Sequence, residues 1–391
     1  MNEPKLRFKA DDGSQFPEWE EKKLNEIAVR VTRKNKDNVT DIPLTISSAD
    51  GLIDQRNFFN KVVASKDMSG YYLLKNGEFA YNKSYSKGYD FGSIKRLDLY
   101  DEGALSTLYI CFALNKNENS DFYQKYFDSL SWYPELQKIC AEGARNHGLL
   151  NVPTNDFFQL KLCVPSSDKE QQKIAEFLST IDTVIEKQKE TVSSWEERKK
   201  GVMQKLFNQE VRFKADDGSE FPEWEEKHFS EMYKSIPNKQ YQISTKEYKK
   251  CGKYKVIDQG KDFIAGYYDD KSKVYGSVPI IVYGDHTTVV KYLDEPFVIG
   301  ADGTKLLDKI SNIFDIKFLY FALNFNNVKQ MGYKRHFSAL KEISFTIPSS
   351  LAEQQKIVDC LSTLDEVIEK QKATLAAWEK LKKGLLQQMF V

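Results

Sequence analysis

The sequence predicts an α+β protein that is built twice, with two domains separated by two long, antiparallel coiled-coil helices and an internal pseudo-twofold repeat. Three observations carry this prediction. The phrase FKADDGSQFPEWEEK at 8–22 returns at 213–227 with a single residue changed. A longer block at 165–207 returns at 348–390. Apolar runs typical of strands, such as IIVYG and ISFTIP, lie between these blocks. A repeat of this kind sets the organisation of the whole chain.

The opening phrase combines acidic residues with Phe, Pro and Trp, so it is a poor candidate for binding phosphate. We expect Trp19 and Trp224 to pack on the helix ends or on a partner. Because the two copies are nearly identical, they are suited to present one surface to two copies of the same partner. Packing of a linker against its own domain is the alternative.

The inner segments, 23–164 and 228–347, share little sequence, and the second is shorter. One echo joins them: YICFALN at 109–115 corresponds to FLYFALN at 318–324. We interpret both copies of this echo as an amphipathic core helix, which predicts a common α+β fold for the two segments.

The second repeated block predicts a helix with a heptad seam, since its apolar residues alternate in spacings of four and three. The predicted seam consists of Ile174, Leu178, Ile181, Ile185, Gln188, Val192, Trp195, Lys199, Val202 and Leu206, and of Ile357, Leu361, Leu364, Ile368, Gln371, Leu375, Trp378, Lys382, Leu385 and Met389. The two glutamines either fix the register or border a solvated gap.

The sequence around the chain ends favours an antiparallel helix pair. QKLFNQEVRF runs continuously through the middle of the chain, and an antiparallel pair brings the C-terminal QQMFV near the N-terminal MNEPKLRF in the same way. A parallel pair would leave a long return path. The predicted organisation is an N-terminal segment at 1–22, a first domain at 23–165, a central helix at 166–207, a connector at 208–227, a second domain at 228–348 and a C-terminal helix at 349–391.

Composition predicts a cytoplasmic protein. The chain is 29% charged with a mean hydropathy of −0.56, and it has neither an apolar run long enough for a bilayer nor a secretory signal. Its 5 cysteines are scattered without CxxC pairs, which argues for reduced thiols. The formal net charge is zero, a balance that neither indicates nor excludes nucleic acid.

Two related domains with twofold geometry suit duplex DNA, because its antiparallel strands present half-sites related by a twofold axis. A fused pair of different domains would recognise an asymmetric, two-part sequence. The alternative is a non-catalytic coiled-coil scaffold that displays two protein-binding domains. A DNA-modifying enzyme is a third hypothesis.

The layout resembles the specificity subunits of type I restriction–modification systems over essentially the whole chain. The resemblance rests on FPEWEEKKL at 16–24 and on EQQKI, LSTxDxVIEKQK and KKGxxQ in both helix copies. It implies two target recognition domains, each reading half of a bipartite site on double-stranded DNA. It further implies helices that set the spacing and bind two methylation subunits, with restriction subunits joining the full host-defence complex.

The residues themselves favour a chain without catalysis, cofactor or metal. There is no GxxxxGK[ST] phosphate loop. The Asn/Asp-Pro-Pro-aromatic signature of adenine methyltransferases is also absent. The most similar stretch, NVPT at 151–154, does not match it. The 4 histidines show no metal-ligand spacing. The resemblance implies that methylation and cleavage come from partner subunits, in agreement with these absences.

Candidate DNA contacts lie in matched loops of the two domains. The first pair of loops is GARNHG at 143–148 and GYKRHF at 332–337, which contain Lys, Arg and His donors and glycines that let the backbone approach a ligand. The second pair is NKSYSKGY at 82–89 and YGDHTTVVK at 283–291. The predicted contacts are Lys83, Tyr85, Ser86, Lys87, Arg145, Asn146, His147, Tyr283, His286, Thr287, Thr288, Lys334, Arg335 and His336. The basic clusters at 30–36 and 246–255 are weaker candidates, since charge runs are usually solvated surface.

Overall fold

The chain folds into two compact units. The computed structural model describes residues 3–48, 50–59, 64–86, 88–140, 150–300, 302–332 and 334–391. Unit 1 contains the chain up to Lys189 together with Thr374–Val391, and unit 2 is Glu190–Ala373. Within the described ranges, no helix is both long and apolar enough to cross a membrane.

The described residues of unit 1 form ten short strands, five short α-helices and parts of two long helices. Its strands are β1 Trp19–Lys23, β2 Ala28–Arg30, β3 Leu44–Ser47, β4 Gly51–Asp54, β5 Tyr72–Lys75, β6 Phe79–Asn82, β7 Ser93–Arg96, β8 Glu102–Leu105, β9 Ile110–Leu114 and β10 Lys161–Pro165. Its short helices are α1 Leu24–Ile27, α2 Gln55–Phe59, α3 Ser120–Ser129, α4 Tyr133–Ile139 and α5 Thr154–Phe157. The long helix α6, Asp168–Phe207, begins in unit 1 and ends in unit 2.

Unit 2 repeats the arrangement with fewer helices. Its strands are β11 Trp224–His228, β12 Tyr233–Ile236, β13 Tyr254–Ile257, β14 Gly266–Tyr268, β15 Val274–Tyr275, β16 Ile280–Gly284, β17 Val290–Leu293, β18 Phe297–Ile299, β19 Thr304–Lys309 and β20 Ser344–Pro348. Its short helices are α7 Phe229–Met232, α8 Ile316–Phe325 and α9 Phe337–Lys341. The long helix α10, Leu351–Met389, begins in unit 2 and ends in unit 1.

The two units share a central antiparallel sheet with one strand order. In unit 1 the order is β2-β9-β6-β7, and in unit 2 it is β12-β19-β16-β17. The remaining strands differ, since unit 1 has the separate pairs β3-β4 and β5-β8 where unit 2 has one sheet, β14-β13-β18-β15. The expected common α+β fold is therefore confirmed at the central sheet. The two units differ in the strands outside that sheet.

The repeated blocks form a frame that brackets each domain. Strand β1 pairs with β10, and β11 pairs with β20, both antiparallel and in the same register. Trp19 lies opposite Pro165 in unit 1, and Trp224 lies opposite Pro348 in unit 2. The opening phrase and the strand before each long helix thus hold together the two ends of each inner segment.

A buried carboxylate ties the opening phrase to the start of each long helix. Glu170 is 0% exposed and accepts hydrogen bonds from Arg7 Nε at 2.7 Å and from Trp19 Nε1 at 3.3 Å. The carboxylate compensates the guanidinium charge, and it also raises the pKa of Arg7. The expectation that Trp19 packs on a helix end is confirmed, since its ring also meets Phe390 with 6.5 Å between centroids.

Unit 2 builds the same cluster from the second copy. Glu353, 0% exposed, accepts hydrogen bonds from Arg212 Nε at 3.1 Å and from Trp224 Nε1 at 3.1 Å. The Trp224 ring lies 6.3 Å from that of Phe207, at the end of α6. A buried ion pair needs each of its hydrogen-bond partners to be present, which explains why these residues recur in both copies.

The long helices run antiparallel within each unit. In unit 1, Asp182 pairs with Lys382 at 2.6 Å, while Ile174, earlier in α6, shares a core with Met389 at the end of α10. In unit 2, Lys199 pairs with Asp365 at 2.5 Å. These are the same two positions of the repeat, 183 residues apart, so the ion pair is used twice.

The predicted heptad seam is confirmed, because every residue assigned to it is buried or half-buried. The predicted common helix at the YICFALN echo is wrong. Residues Ile110–Leu114 form the central strand β9, whereas the second copy lies in helix α8. The helix of unit 1 that corresponds to α8 is α3. Both begin at a capping side chain, Asn119 or Asp315, that accepts a hydrogen bond from a backbone N–H in the first turn.

Candidate nucleic-acid interface

Two segments of unit 2 that the sequence predicts as DNA contacts lie against each other. His336 N–H donates to the carbonyl oxygen of Asp285 at 2.7 Å, and its ring Nδ1 lies 3.1 Å from the same oxygen. The backbone N–H of Met331 donates to His336 Nε2 at 3.0 Å. Because Nε2 accepts, Nδ1 carries the proton and donates to Asp285. The His336 imidazole thus clamps the loop after β16 to the segment before α9.

The same two segments meet again at the surface. His286 Nδ1 lies 3.2 Å from the carbonyl oxygen of Lys334, and Gln330 Nε2 donates to the carbonyl oxygen of His286 at 3.2 Å. The Lys334 and Arg335 side chains are exposed. The loop contacts therefore fix the backbone and leave the basic side chains free to reach a ligand.

A glutamine at the end of β13 supports the loop from the other side. The Gln259 Oε1 atom accepts from the backbone N–H of His286 at 3.1 Å, and its carbonyl oxygen accepts from Thr287 Oγ1 at 2.5 Å. Gly284 permits this packing, since a Cβ there would lie 2.2 Å from Thr287 Oγ1. The position of Thr287 is therefore set by hydrogen bonding and by a close approach that only glycine allows.

Thr288 holds a left-handed backbone conformation, with φ at 57°. This conformation is unfavourable for a β-branched residue and persists only where neighbours enforce it. Here the Thr288 N–H donates to the carbonyl oxygen of Gly284 at 2.8 Å, and Asn327 Nδ2 donates to the Thr288 carbonyl oxygen at 2.6 Å. The loop is thus held in one shape by hydrogen bonds from both of its flanks.

The charges around this loop favour an anionic ligand. Four exposed cations lie on these segments and make no ion pair with the described part of the chain: Lys261, Lys329, Lys334 and Arg335. Lys291 is different, because it is buried and its Nζ donates to the carbonyl oxygens of Asp258 and Asp262 at 2.9 and 2.6 Å. Burial lowers the pKa of Lys291. Because its ammonium group binds backbone oxygens inside the fold, Lys291 supports the loop and does not lie at the surface.

Two predicted contacts of unit 2 are buried and cannot reach DNA directly. Tyr283 is 0% exposed and packs in the core against Phe337, with 6.0 Å between ring centroids. Burial also raises the pKa of its hydroxyl well above the ordinary value. His336 is 3% exposed and has the clamping role described above. Every residue of β16 is buried, so the Tyr283 position reads as core once the strand is placed at the centre of the sheet.

The corresponding loop of unit 1 lies against the segment just before the short helix α5, as the loop of unit 2 lies against the segment just before α9. The backbone N–H of Leu150 donates to the carbonyl oxygen of Lys83 at 2.9 Å, and Lys83 Nζ donates to the carbonyl oxygen of Val152 at 3.1 Å. Ser86 shares a hydroxyl hydrogen bond of 2.9 Å with Ser48, in the turn between β3 and β4. Tyr85 is 61% exposed.

Four predicted contacts of unit 1 lie outside the described residues: Lys87, Arg145, Asn146 and His147. Among the described ones, Lys83 is held by backbone contacts, whereas Tyr85 projects to the surface. Together with Ser86, they remain predictions for the first domain.

Some residues that shape the surface were not found from the sequence. Ser48, Gln259, Asn327 and Gln330 contact the predicted loops from distant positions along the chain. The only signal for Gln259 is its place directly after the apolar run YKVID, where a strand ends.

The two weaker basic clusters are partly engaged within the protein. In the first, Arg33 pairs with Glu78 at 2.8 Å, and Lys34 lies over the Tyr72 ring at 4.3 Å. In the second, Lys249 pairs with Asp269 at 2.8 Å. These lysines and this arginine have partners in the fold, so their charges are less available to DNA.

Comparison with known proteins agrees with this architecture. Residues 222–377 match the family model of the type I restriction modification DNA specificity domain. Over its full length the chain has the fold of the S subunit of a type I restriction–modification system from M. genitalium, with a TM-score of 0.54, 14% identity, and coverage of 100% of this chain and 99% of that one. The chain is thus similar to type I restriction–modification specificity subunits in part of its sequence and in its fold.

Further relatives extend this likeness to both halves of the chain. A Methanocaldococcus jannaschii protein assigned as the MjaX specificity subunit is 24% identical over 419 aligned residues, covering 97% of this chain and 94% of that protein. The MjaVIII specificity subunit of the same organism is 24% identical over 330 residues and covers 76% of each. A chain from a structure of the type I system has a TM-score of 0.50 at 17% identity, covering 96% of this chain and 98% of that one.

Proposed function

We propose that this chain is the DNA sequence-recognition subunit of a type I restriction–modification complex. Each domain reads one half of an asymmetric bipartite site, and the long helices set the spacing between the halves. The observation that carries the proposal is the contrast between frame and insert. One sheet, bracketed by one pair of strands, occurs twice, while the loops above it differ in length and chemistry. Such a chain recognises two different half-sites with a single architecture.

The loop surface of unit 2 has the chemistry that DNA binding requires. Exposed Lys329, Lys334 and Arg335 supply cations for phosphates, and His286, Thr287 and Thr288 supply donors and acceptors for base edges. The backbone beneath them is held by the His336 clamp and by Gln259, as a preorganised binding surface requires. Lys83, Tyr85 and Ser86 are the corresponding candidates in the first domain, and Lys87, Arg145, Asn146 and His147 are candidates from the sequence alone.

The repeated frame is the proposed docking surface for two methylation subunits. Its exposed acidic residues recur at matching positions, with Asp12 and Glu18 in unit 1 and Asp217 and Glu223 in unit 2. Two identical surfaces suit two copies of one partner. Restriction subunits complete the cytoplasmic complex, and the partners carry out methylation and cleavage.

Methylation mapping tests the proposal. This chain is co-expressed with its methylation subunit in a host free of DNA methylation, and modified bases are mapped across the genome. We expect a split motif of two different half-sites around a fixed gap, absent when this chain is omitted. If the complex assembles but no motif appears, or if the same motif appears without this chain, the proposal is wrong.

A further inference from the structure

A cavity in unit 1 joins the end of α10 to a predicted DNA-contacting loop. It has a volume of about 370 Å³, and its wall includes Gly88 and Tyr89 from the loop, Ser48 from the β3–β4 turn, and Lys383 from α10. Its wall is thus shared by the predicted loop and by α10, to which the resemblance assigned only spacing and partner binding. A ligand bound at the loop would pass within reach of the helix.

The lysines of this cavity differ in whether their charge is compensated. Lys95 donates to Asp128 at 2.6 Å, and Lys382 donates to Asp182 at 2.6 Å. Lys383 is exposed and makes no ion pair with the described residues, although Glu379 lies one turn earlier on the same face. One uncompensated cation therefore projects beside the loop.

The repeat places an equivalent lysine in unit 2. Lys199 and Lys382 occupy one repeat position and reach equivalent carboxylates, Asp365 and Asp182, so both helices have the same rotation about their axes. The next residue, Lys200 or Lys383, is turned by about 100° from the seam in both cases. Lys200 is also exposed and without an ion pair in the described part of the chain.

The face that carries these lysines is identical in the two copies, although its surroundings are not. At spacings of four it presents Glu196, Lys200 and Gln204 in α6, and Glu379, Lys383 and Gln387 in α10. Adjacent positions have diverged, as Glu197 and Arg198 in the first copy correspond to Lys380 and Leu381 in the second. In unit 2, Met203 on this face packs against the core that contains β16 and α8. The same helix face therefore borders the domain in each unit.

We propose that Lys200 and Lys383, each with the glutamine one turn later, contact DNA phosphates beside the two half-sites. Lysine and glutamine side chains both donate to phosphate oxygens, and such contacts position the protein without reading sequence. The helices would then hold the DNA in register as well as separating the domains. This inference rests on the proposed DNA-recognition function and assigns it residues outside the recognition loops.

The test measures the salt dependence of DNA binding by the complex of this chain with its methylation subunits. The probe is a labelled duplex carrying the mapped motif, and affinity is measured by fluorescence anisotropy between 50 and 200 mM salt. We expect Lys383→Gln and Lys200→Gln each to lower affinity roughly fivefold at physiological salt. Each should also reduce the slope of log affinity against log salt by about 0.9. The methylated motif should stay the same.

Two control variants isolate the phosphate contact. Lys205→Gln removes an exposed charge that lies about 140° around α6 from Lys200 and should leave the slope unchanged, whereas Lys383→Arg should retain it. Unchanged slopes in both glutamine variants would overturn the inference, as would loss of assembly with the methylation subunits at an unchanged slope. If the wild-type complex neither methylates nor binds a motif, the proposed function fails, and this inference fails with it.

Discussion

At the scale of single residues, the repeat is maintained by groups that are costly to change. Glu170 and Glu353 are fully buried carboxylates, and each is satisfied by a tryptophan from the opening phrase and by the arginine directly before that phrase. Removing one partner leaves an uncompensated buried charge. This cost explains why the arginine and the tryptophan recur in both copies, but it does not apply to the exposed acidic residues of the phrase.

The buried pair leads to a prediction for unit 2. We expect Arg212→Ala to lower the free energy of unfolding of unit 2 by about 3 kcal/mol, because Glu353 would keep only the Trp224 hydrogen bond. The measurement is amide hydrogen exchange of peptides from unit 2. Arg335→Ala is the control and should change this free energy by less than about 0.5 kcal/mol, since its side chain is exposed. A similar, small effect of both variants would contradict the prediction.

At the scale of elements, the long helices were predictable and the short inserts were only partly so. A heptad seam is repeated over the whole length of a long helix, so the pattern predicts it reliably. The five-residue run at Ile110–Leu114 is too short for this, because a buried strand and a buried helix look alike over that length. Its place between β2 and β6 is set by pairing with distant strands.

The candidate site shows the same limit. The sequence identified the two loop segments of unit 2, since glycine and basic residues mark them. The contacts between these segments were not predictable, because Asp285 and His336 are brought together by the fold and no local pattern relates them. For the same reason the sequence misassigned Tyr283 to the surface, although it lies in a strand that is buried along its whole length.

The ion pair between the helices gives an element-scale prediction with a defined pH dependence. Burial by itself would raise the pKa of Asp182, but Lys382 and Lys125 outweigh burial and hold the pKa below its ordinary value. A lowered pKa in the folded state stabilises the protein above the unfolded pKa of about 4, and the stabilisation is lost as the pH falls through the folded value. We expect Asp182→Asn to destabilise unit 1 by about 2 kcal/mol at pH 7.

The difference between Asp182→Asn and the wild type should shrink steadily below about pH 4, where the wild-type carboxylate becomes protonated. Urea unfolding followed from pH 2 to pH 7 measures it. Asp359→Asn, on the exposed side of α10, is the control and should show little difference at any pH. A stability difference that is constant over the whole range would show that the charge of Asp182 is not the cause.

At the scale of the whole molecule, the duplication makes the two inserts exchangeable. Strand pairs β1/β10 and β11/β20 offer the same junction, with Lys23 opposite Lys161 in one unit and His228 opposite Ser344 in the other. The ion pair between the helices is also used twice. Because the frame is the same in both halves, an insert from one half has the junctions that the other half requires.

A chain that carries the first insert twice should therefore recognise a palindrome. Replacing 229–343 with 24–160 keeps both junctions and places one DNA-contacting surface in both frames. Since the strands of duplex DNA are related by a twofold axis, we expect methylation of an inverted repeat of the first half-site around a fixed gap. Methylation mapping measures this directly. The reciprocal chain, with the second insert in both frames, is the control and should methylate an inverted repeat of the other half-site. An asymmetric motif from either chain would show that recognition is not confined to the inserts.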